Sequence, residues 1–137
     1  MSLADVPWLA VVVSTVLAFA LGVLWYSPLL FAKPWMAGPG LTEERVKKLQ
    51  SGKSSAYAIS FLCWLVMATV LAMIAPHFGD GIGATLHMGV LLWLGFSATV
   101  GLTNNRFCDT PLSVWVIDAG YQLTSIAIIS VALGLSR

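Results

Sequence analysis

The chain has 137 residues, of which 58% are hydrophobic and 9% are charged. This balance excludes a small soluble domain, because so few charged residues cannot give a folded chain of this size a polar surface. The formal net charge is only +1, and we expect no nucleic-acid partner. The composition predicts a membrane protein that forms one domain over residues 1–137.

Four apolar stretches fill most of the chain, and each is close to the ~20 residues that a helix needs to cross a bilayer. They cover residues 6–26, 56–75, 83–102 and 112–134. The only acidic residue within them is Asp118. We therefore expect an all-α integral membrane protein in which four transmembrane helices form an antiparallel bundle.

The first stretch has a start signal and a stop signal. Asp5 can cap the helix, and Pro28 marks its other end. Trp25 and Tyr26 lie just before that end, where aromatic residues usually anchor a helix at the membrane–water interface. The alternative is that these two side chains belong to a functional site.

Residues 42–51, between the first two stretches, predict a short helix that lies on the cytoplasmic membrane surface. Glu43 precedes Lys47 by four residues, and Glu44 precedes Lys48 by four. Pairs in this orientation stabilise a helix by about 0.2–0.5 kcal/mol each. A solvated, charged linker is the alternative.

Two short loops join the later stretches. Residues 76–81 are rich in turn-forming residues, so we expect the second and third helices to form a tight antiparallel hairpin. Residues 103–111 form the next loop, in which Thr110 and Pro111 signal the start of the fourth helix.

The third stretch contains His87 and several small residues. One histidine within the spans is too few for a transmembrane haem, and no metal-binding spacing is present, so we expect no cofactor and no metal. We predict that the small residues let neighbouring helices approach closely: Gly89, Gly95, Ser97 and Gly101.

The distribution of basic residues predicts the orientation of the chain. Five of the seven lie between the first two stretches: Lys33, Arg45, Lys47, Lys48 and Lys53. Because basic loops stay in the cytoplasm, residues 27–55 and 103–111 should be cytoplasmic, with Arg106 inside and Arg137 outside. We expect both termini outside, in a bacterial inner membrane.

The fourth stretch carries a polar stripe. Asp118 is followed by Tyr121, Gln122 and Ser125 at spacings of three, four and seven, which places all four on one helical face. An ionised Asp within a span costs ~2.5–3.5 kcal/mol at the bilayer centre and less near its surface, so Asp118 should face the bundle and hold a partner. Two interpretations stay open: a proton or substrate site, or a hydrogen-bond cluster that joins helices.

Polar residues at the end of the third helix should reach a similar depth. Arg106 can extend its charge toward Asp118 or Asp109, and we predict that Arg106 and Asp118 interact. The candidate residues for binding a substrate or partner are Asp118, Tyr121, Gln122, Ser125, Arg106, Asn105, Trp25 and Tyr26.

Three motifs resemble those of a bacterial family of small four-span membrane proteins, known as domain of unknown function seventeen-sixty-one. They are LGVLWYSPLLFAKPWM at residues 21–36, WLGF at 93–96 and DAGYQ at 118–122. The similarity covers nearly the whole chain. It implies a fold and a membrane location, and it brings no activity and no catalytic residues.

The sequence lacks several catalytic motifs. It has no phosphate-binding glycine loop, no paired cysteines and no Gly-x-Ser-x-Gly, so we expect neither an enzyme nor catalytic residues. The leading expectation is a bundle that contacts membrane lipids and either self-associates or serves as an accessory subunit of a larger membrane complex. The alternative is a small oligomeric transporter or channel with a pathway around Asp118.

Overall fold

The structure is a computed structural model that describes residues 2–37, 42, 44–45, 48 and 53–137. Most of the predicted surface helix at residues 42–51 therefore lies outside the described residues. The part of the chain that the structure describes contains helices and turns but no strand. We label its helices α1 (Trp8–Trp25), α2 (Ala32–Ala37), α3 (Lys53–Ile74), α4 (Ile82–Phe107) and α5 (Leu112–Leu135).

Four of these helices, α1, α3, α4 and α5, are long and apolar enough to cross a membrane. The prediction of an all-helical chain with four such helices is confirmed. One boundary differs, because α4 continues to Phe107 through residues 103–107, which we predicted to be loop. Polar residues can continue a helix beyond the apolar layer, so the end of hydropathy does not mark the end of the helix.

The N-terminal segment departs from its prediction. Asp5 does not cap α1; its carboxylate accepts hydrogen bonds from the backbone N–H and the hydroxyl of Ser2, at 3.0 and 2.8 Å. These bonds close a separate 3-10 turn at Leu3–Asp5 and lower the pKa of Asp5. Pro7 occupies the N-cap position of α1 instead, where its missing N–H costs nothing.

The chain reverses direction after α1. Pro28 lies in the turn, and the backbone N–H of Phe31 donates to the carbonyl of Trp25 at 3.1 Å. The N–H of Ala32 donates to the carbonyl of Ser27 at 3.2 Å. As a result, α2 folds back toward the bundle and packs against α5.

Helix α5 lies between α1 and α4, and α1 also packs against α3. The indole N–H of Trp25 reaches α5 from one side, and that of Trp93 reaches it from the other. Helices α3 and α4, which we expected to form a tight hairpin, approach each other mainly at the turn Ala75–His77. The extensive packing of α3 is with α1, and that of α4 is with α5.

Small residues explain part of this packing. A Cβ atom on Gly89 would collide with the Ser130 hydroxyl of α5, so the predicted close approach occurs at that position. A Cβ on Gly101 would touch the Trp115 ring at an ordinary 3.5 Å. Gly95 is exposed and has no atom within 4 Å of its Cβ position, so no described helix of the same molecule approaches closely there.

The two ends of the bundle are packed differently. Most of the fully buried side chains lie away from Asp118: Val11, Ser14, Thr15, Ala68, Ala75, Thr85, Met88, Ser125, Ile129, Ser130 and Leu133. Ala18, which lies next to Tyr121, is fully buried as well. At the other end, residues 54–60 of α3 are all exposed, although α3 is buried at Trp64 and Ala68 further along. The Asp118 end of the bundle is therefore more open than the end at which Arg137 pairs with Asp80 at 2.8 Å.

Candidate binding site around Asp118

Asp118 lies six residues past the first residue of α5, or ~9 Å along the helix. Its Oδ1 atom accepts two hydrogen bonds, from the Tyr26 hydroxyl at 2.5 Å and from the Trp35 indole N–H at 3.0 Å. Tyr26 follows the last residue of α1, and Trp35 lies in α2. The expected donors are thus present, and both are neutral groups.

The second oxygen of Asp118 remains open. Within the described ranges Oδ2 accepts no hydrogen bond, and the fully buried side-chain atoms without a partner are the hydroxyls of Ser125 and Ser130. Oδ2 is therefore not enclosed. Gln122, one helical turn further along the same face, is half-buried, and its amide forms no hydrogen bond with another described residue.

The two donors of Asp118 belong to a connected set of aromatic side chains, which we call the aromatic cluster: Trp25, Tyr26, Phe31, Trp35, Trp64 and Tyr121. The ring of Tyr26 meets those of Trp35 and Tyr121 edge to face, with centroids 5.8 and 5.4 Å apart. Such pairs contribute about 0.5–1.5 kcal/mol each beyond the area they bury. The cluster joins α1, α2, α3 and α5 at one depth.

Trp25 and Tyr26 point into the bundle, so the prediction that they anchor α1 at the membrane surface is wrong. Trp25 donates its indole N–H to the carbonyl of Ile117 at 3.0 Å. Trp93 donates in the same way to the carbonyl of Ala119, also at 3.0 Å. An indole N–H within a membrane needs an acceptor, and these carbonyls provide one on each side of α5.

Tyr121 crosses to α1 rather than joining Asp118 directly. Its hydroxyl donates to the carbonyl of Ala18 at 3.0 Å. Gly22 makes this possible, because a Cβ atom there would lie 2.6 Å from the Tyr121 hydroxyl. Ser125, the last residue of the predicted stripe, is completely buried deeper in the bundle. The predicted stripe therefore contains two kinds of group. Tyr121 joins two helices, whereas the Oδ2 atom of Asp118 and the amide of Gln122 have no described hydrogen-bond partner.

The predicted interaction between Arg106 and Asp118 is wrong. The Arg106 guanidinium donates to the Asn105 side-chain oxygen at 2.5 Å and to the Thr110 carbonyl at 2.6 Å, and Asn105 donates to the Pro111 carbonyl at 3.1 Å. Because α4 extends to residue 107, Arg106 lies in its last turn, where free carbonyls attract a cation. Arg106 and Asn105 thus stabilise the link between α4 and α5, apart from the candidate site.

Sequence reasoning missed Trp35 and Trp64 as members of the site. Trp64 lies in the middle of an apolar stretch, where no local signal separates it from a packing residue. Trp35 had a usable signal, because it follows the two prolines of the segment after α1 and carries an N–H that must find an acceptor. The sequence did not show that α2 turns back onto α5.

Other side chains that could bind a metal or react, one histidine and two cysteines, lie apart from Asp118. His87 is exposed on α4, and Cys63 and Cys108 are exposed free thiols. Among the residues that the structure describes, no three His, Cys, Asp or Glu side chains gather in a group that could hold a metal ion. The titratable group at the centre of the candidate site is thus Asp118.

Comparison with known proteins gives one match. A family model described as a protein of unknown function, DUF1761, matches residues 9–134. The chain has no match among the curated proteins or the solved structures.

Proposed function

Because the chain belongs to the DUF1761 family, whose function is unknown, we propose a role from the chain's own surfaces. It is a multi-pass membrane bundle that self-associates through one face of α4. We define the α4 face by three exposed residues at a spacing of four: Gly95, Thr99 and Thr103. These residues carry the proposal.

Small residues at this spacing let two helix backbones approach closely in a membrane, where packing drives association. Gly95 has open space at its Cβ position. The hydroxyls of Thr99 and Thr103 donate to carbonyls of their own helix at 2.8 and 3.0 Å, so the face has no unpaired hydroxyl proton. Elsewhere α4 uses Met88 and Gly89 for packing within the molecule, which leaves the α4 face for a partner.

The test compares Gly95→Leu with Gly83→Leu. Gly83 also lies in α4 with open space at its Cβ position, but on a different part of the helix. In lipid nanodiscs or native membranes, single-molecule photobleaching should count two or more copies for the unmodified chain and for Gly83→Leu. Gly95→Leu should weaken association by about tenfold, since the larger side chain would hold the two backbones apart and overpacking costs about 1–3 kcal/mol.

Two outcomes would reject self-association. One is a monomer count for the unmodified chain at its native density, and the other is equal dissociation by both substitutions. Co-purification of a different membrane protein that is lost only in Gly95→Leu would instead support the accessory-subunit interpretation.

The proposal includes an orientation. Lys33 and Arg106 belong to segments that we place in the cytoplasm of a bacterial cell, with both termini outside. Contacts between α1 and α5 support an antiparallel arrangement, because Trp25 meets Ile117 whereas the earlier Ala18 meets the later Tyr121.

A small transporter is the second candidate function. One observation favours it: the Oδ2 atom of Asp118 is open within the span, at the end of the bundle where α3 is exposed. Transport would require a ligand that this carboxylate can recognise.

A further inference from the structure

We propose that Asp118 is the anionic centre of a binding site for an organic ammonium ion, held between α5 and the aromatic cluster. The site lies within one copy of the chain, so the inference does not depend on self-association.

The charge of Asp118 lacks a described counter-ion. Its two donors, Tyr26 and Trp35, are neutral, and Arg106 is used at the link to α5. In the low dielectric of a span, a carboxylate gains much more from a bound cation than it would in water. A monovalent cation would balance this charge one to one.

The acceptors form a pair on one helical face. Oδ1 of Asp118 is occupied by two hydrogen bonds, which hold the carboxylate in one orientation, while Oδ2 accepts no hydrogen bond from a described residue. The amide oxygen of Gln122 lies one turn away and is available to accept a second ammonium proton. Two acceptors suit an alkylammonium, whereas a hard metal cation such as Ca²⁺ takes six or more oxygens.

The aromatic cluster favours a cation that carries apolar groups. The negative face of a Trp or Tyr ring attracts an ammonium group within ~6 Å, and several rings together form the usual recognition site for quaternary ammonium ions. Tyr26, Trp35 and Tyr121 lie at the depth of the carboxylate. Their apolar surfaces would cover the substituents of the ligand.

A ligand can reach the two acceptors because the described residues do not enclose them fully. Asp118 and Gln122 are both half-buried, and they lie in the half of α5 that is nearer to its beginning at the membrane surface. Amphipathic amines concentrate at that surface, because their charge stays in water while their apolar groups enter the lipid.

The probe is phenethylammonium, which carries three N–H donors, compared with its uncharged isostere propylbenzene. Binding to the full chain in nanodiscs is followed by equilibrium dialysis and by quenching of tryptophan fluorescence, with empty nanodiscs as the blank. We expect saturable binding of the cation and only lipid partitioning of the isostere. Asp118→Asn should weaken binding by about tenfold or more, and Gln122→Ala should weaken it less.

Asp109→Asn is the matched control, because it removes one carboxylate from the exposed link at the same end of the chain. Asp109 has a φ of 50°, a conformation that Asn tolerates, so this loop should be kept. Gly95→Leu should bind like the unmodified chain, which separates this site from the self-association proposal.

Several results would overturn the inference: no saturable binding by the unmodified chain, equal binding of the uncharged isostere, equal losses in Asp118→Asn and Asp109→Asn, or displacement by an equal concentration of NaCl. If Asp118→Asn does not fold, the comparison of the two ligands on the unmodified chain still decides.

Discussion

At the scale of single residues, the indole of Trp35 joins a very short helix to the bundle. It lies in the six-residue helix α2, which is too short to be stable alone, and its N–H bonds to Asp118 of α5. One hydrogen bond to a charged acceptor contributes roughly 1.5–3 kcal/mol. This contact therefore helps to decide whether the segment after α1 stays on the bundle.

Trp35→Phe keeps an aromatic ring and removes the N–H. We expect the free energy of unfolding in mixed micelles to fall by about 1–3 kcal/mol, with faster proteolysis of residues 27–37. Trp8→Phe is the control, since Trp8 donates only to the nearby Leu3 carbonyl at an exposed position. Equal effects of the two substitutions would show that the Trp35 contact with Asp118 contributes no more to stability than the Trp8 contact does.

The need of Asp118 for partners was predictable, because a carboxylate within a span has few alternatives. The identity of these partners was not predictable from the sequence. Arg106 was the obvious counter-ion on charge alone, but the extension of α4 placed it beyond Asp118, next to Thr110. Neutral donors such as Trp35 occur throughout the spans, so charge cannot single them out.

At the scale of helices, α5 is positioned by small residues of its neighbours. Gly22 accommodates Tyr121, Gly89 accommodates Ser130, and Gly134 of α5 itself lies against the backbone of Ile82. Extra atoms at such contacts must move a helix, because interiors are close-packed. Helix spacing in this bundle thus depends on a few positions.

Gly89→Ala should therefore destabilise the bundle. Overpacking costs about 1–3 kcal/mol, which exceeds the gain in helix propensity of about 1 kcal/mol. Gly83→Ala gains the propensity without a collision, because no atom lies within 4 Å of its Cβ position. Unfolding titrations in detergent should show opposite signs for the two variants, and equal signs would contradict the packing explanation.

At the scale of the whole molecule, the four long helices were predictable from apolar length alone. Their arrangement was not, because each helix carries large apolar residues on its exposed side, such as Leu17, Val66, Leu94 and Val116. In a membrane, the face of a helix that meets lipid and the face that meets another helix are both apolar, so hydropathy does not distinguish them. The central place of α5 had to come from the structure.

The proposed orientation can be tested with Cys108, which is exposed in the link between α4 and α5. In a Cys63→Ser background, a membrane-impermeant maleimide should label Cys108 in inside-out vesicles and leave it unlabelled in intact spheroplasts. A Ser136→Cys change in a variant that lacks both native cysteines should show the reverse pattern. Labelling of Cys108 from the outside would invert the orientation.

The residues Trp93–Ala98 form a π-helical segment within α4. Segments of this kind are rare and occur mostly as single wider turns inside an α-helix. Two separate bonds to α5 flank it, from Trp93 to Ala119 and from Trp115 to Ala98. Helix α4 thus consists of two α-helical parts, Ile82–Leu92 and Thr99–Phe107, and both ends of the segment that joins them are held against α5.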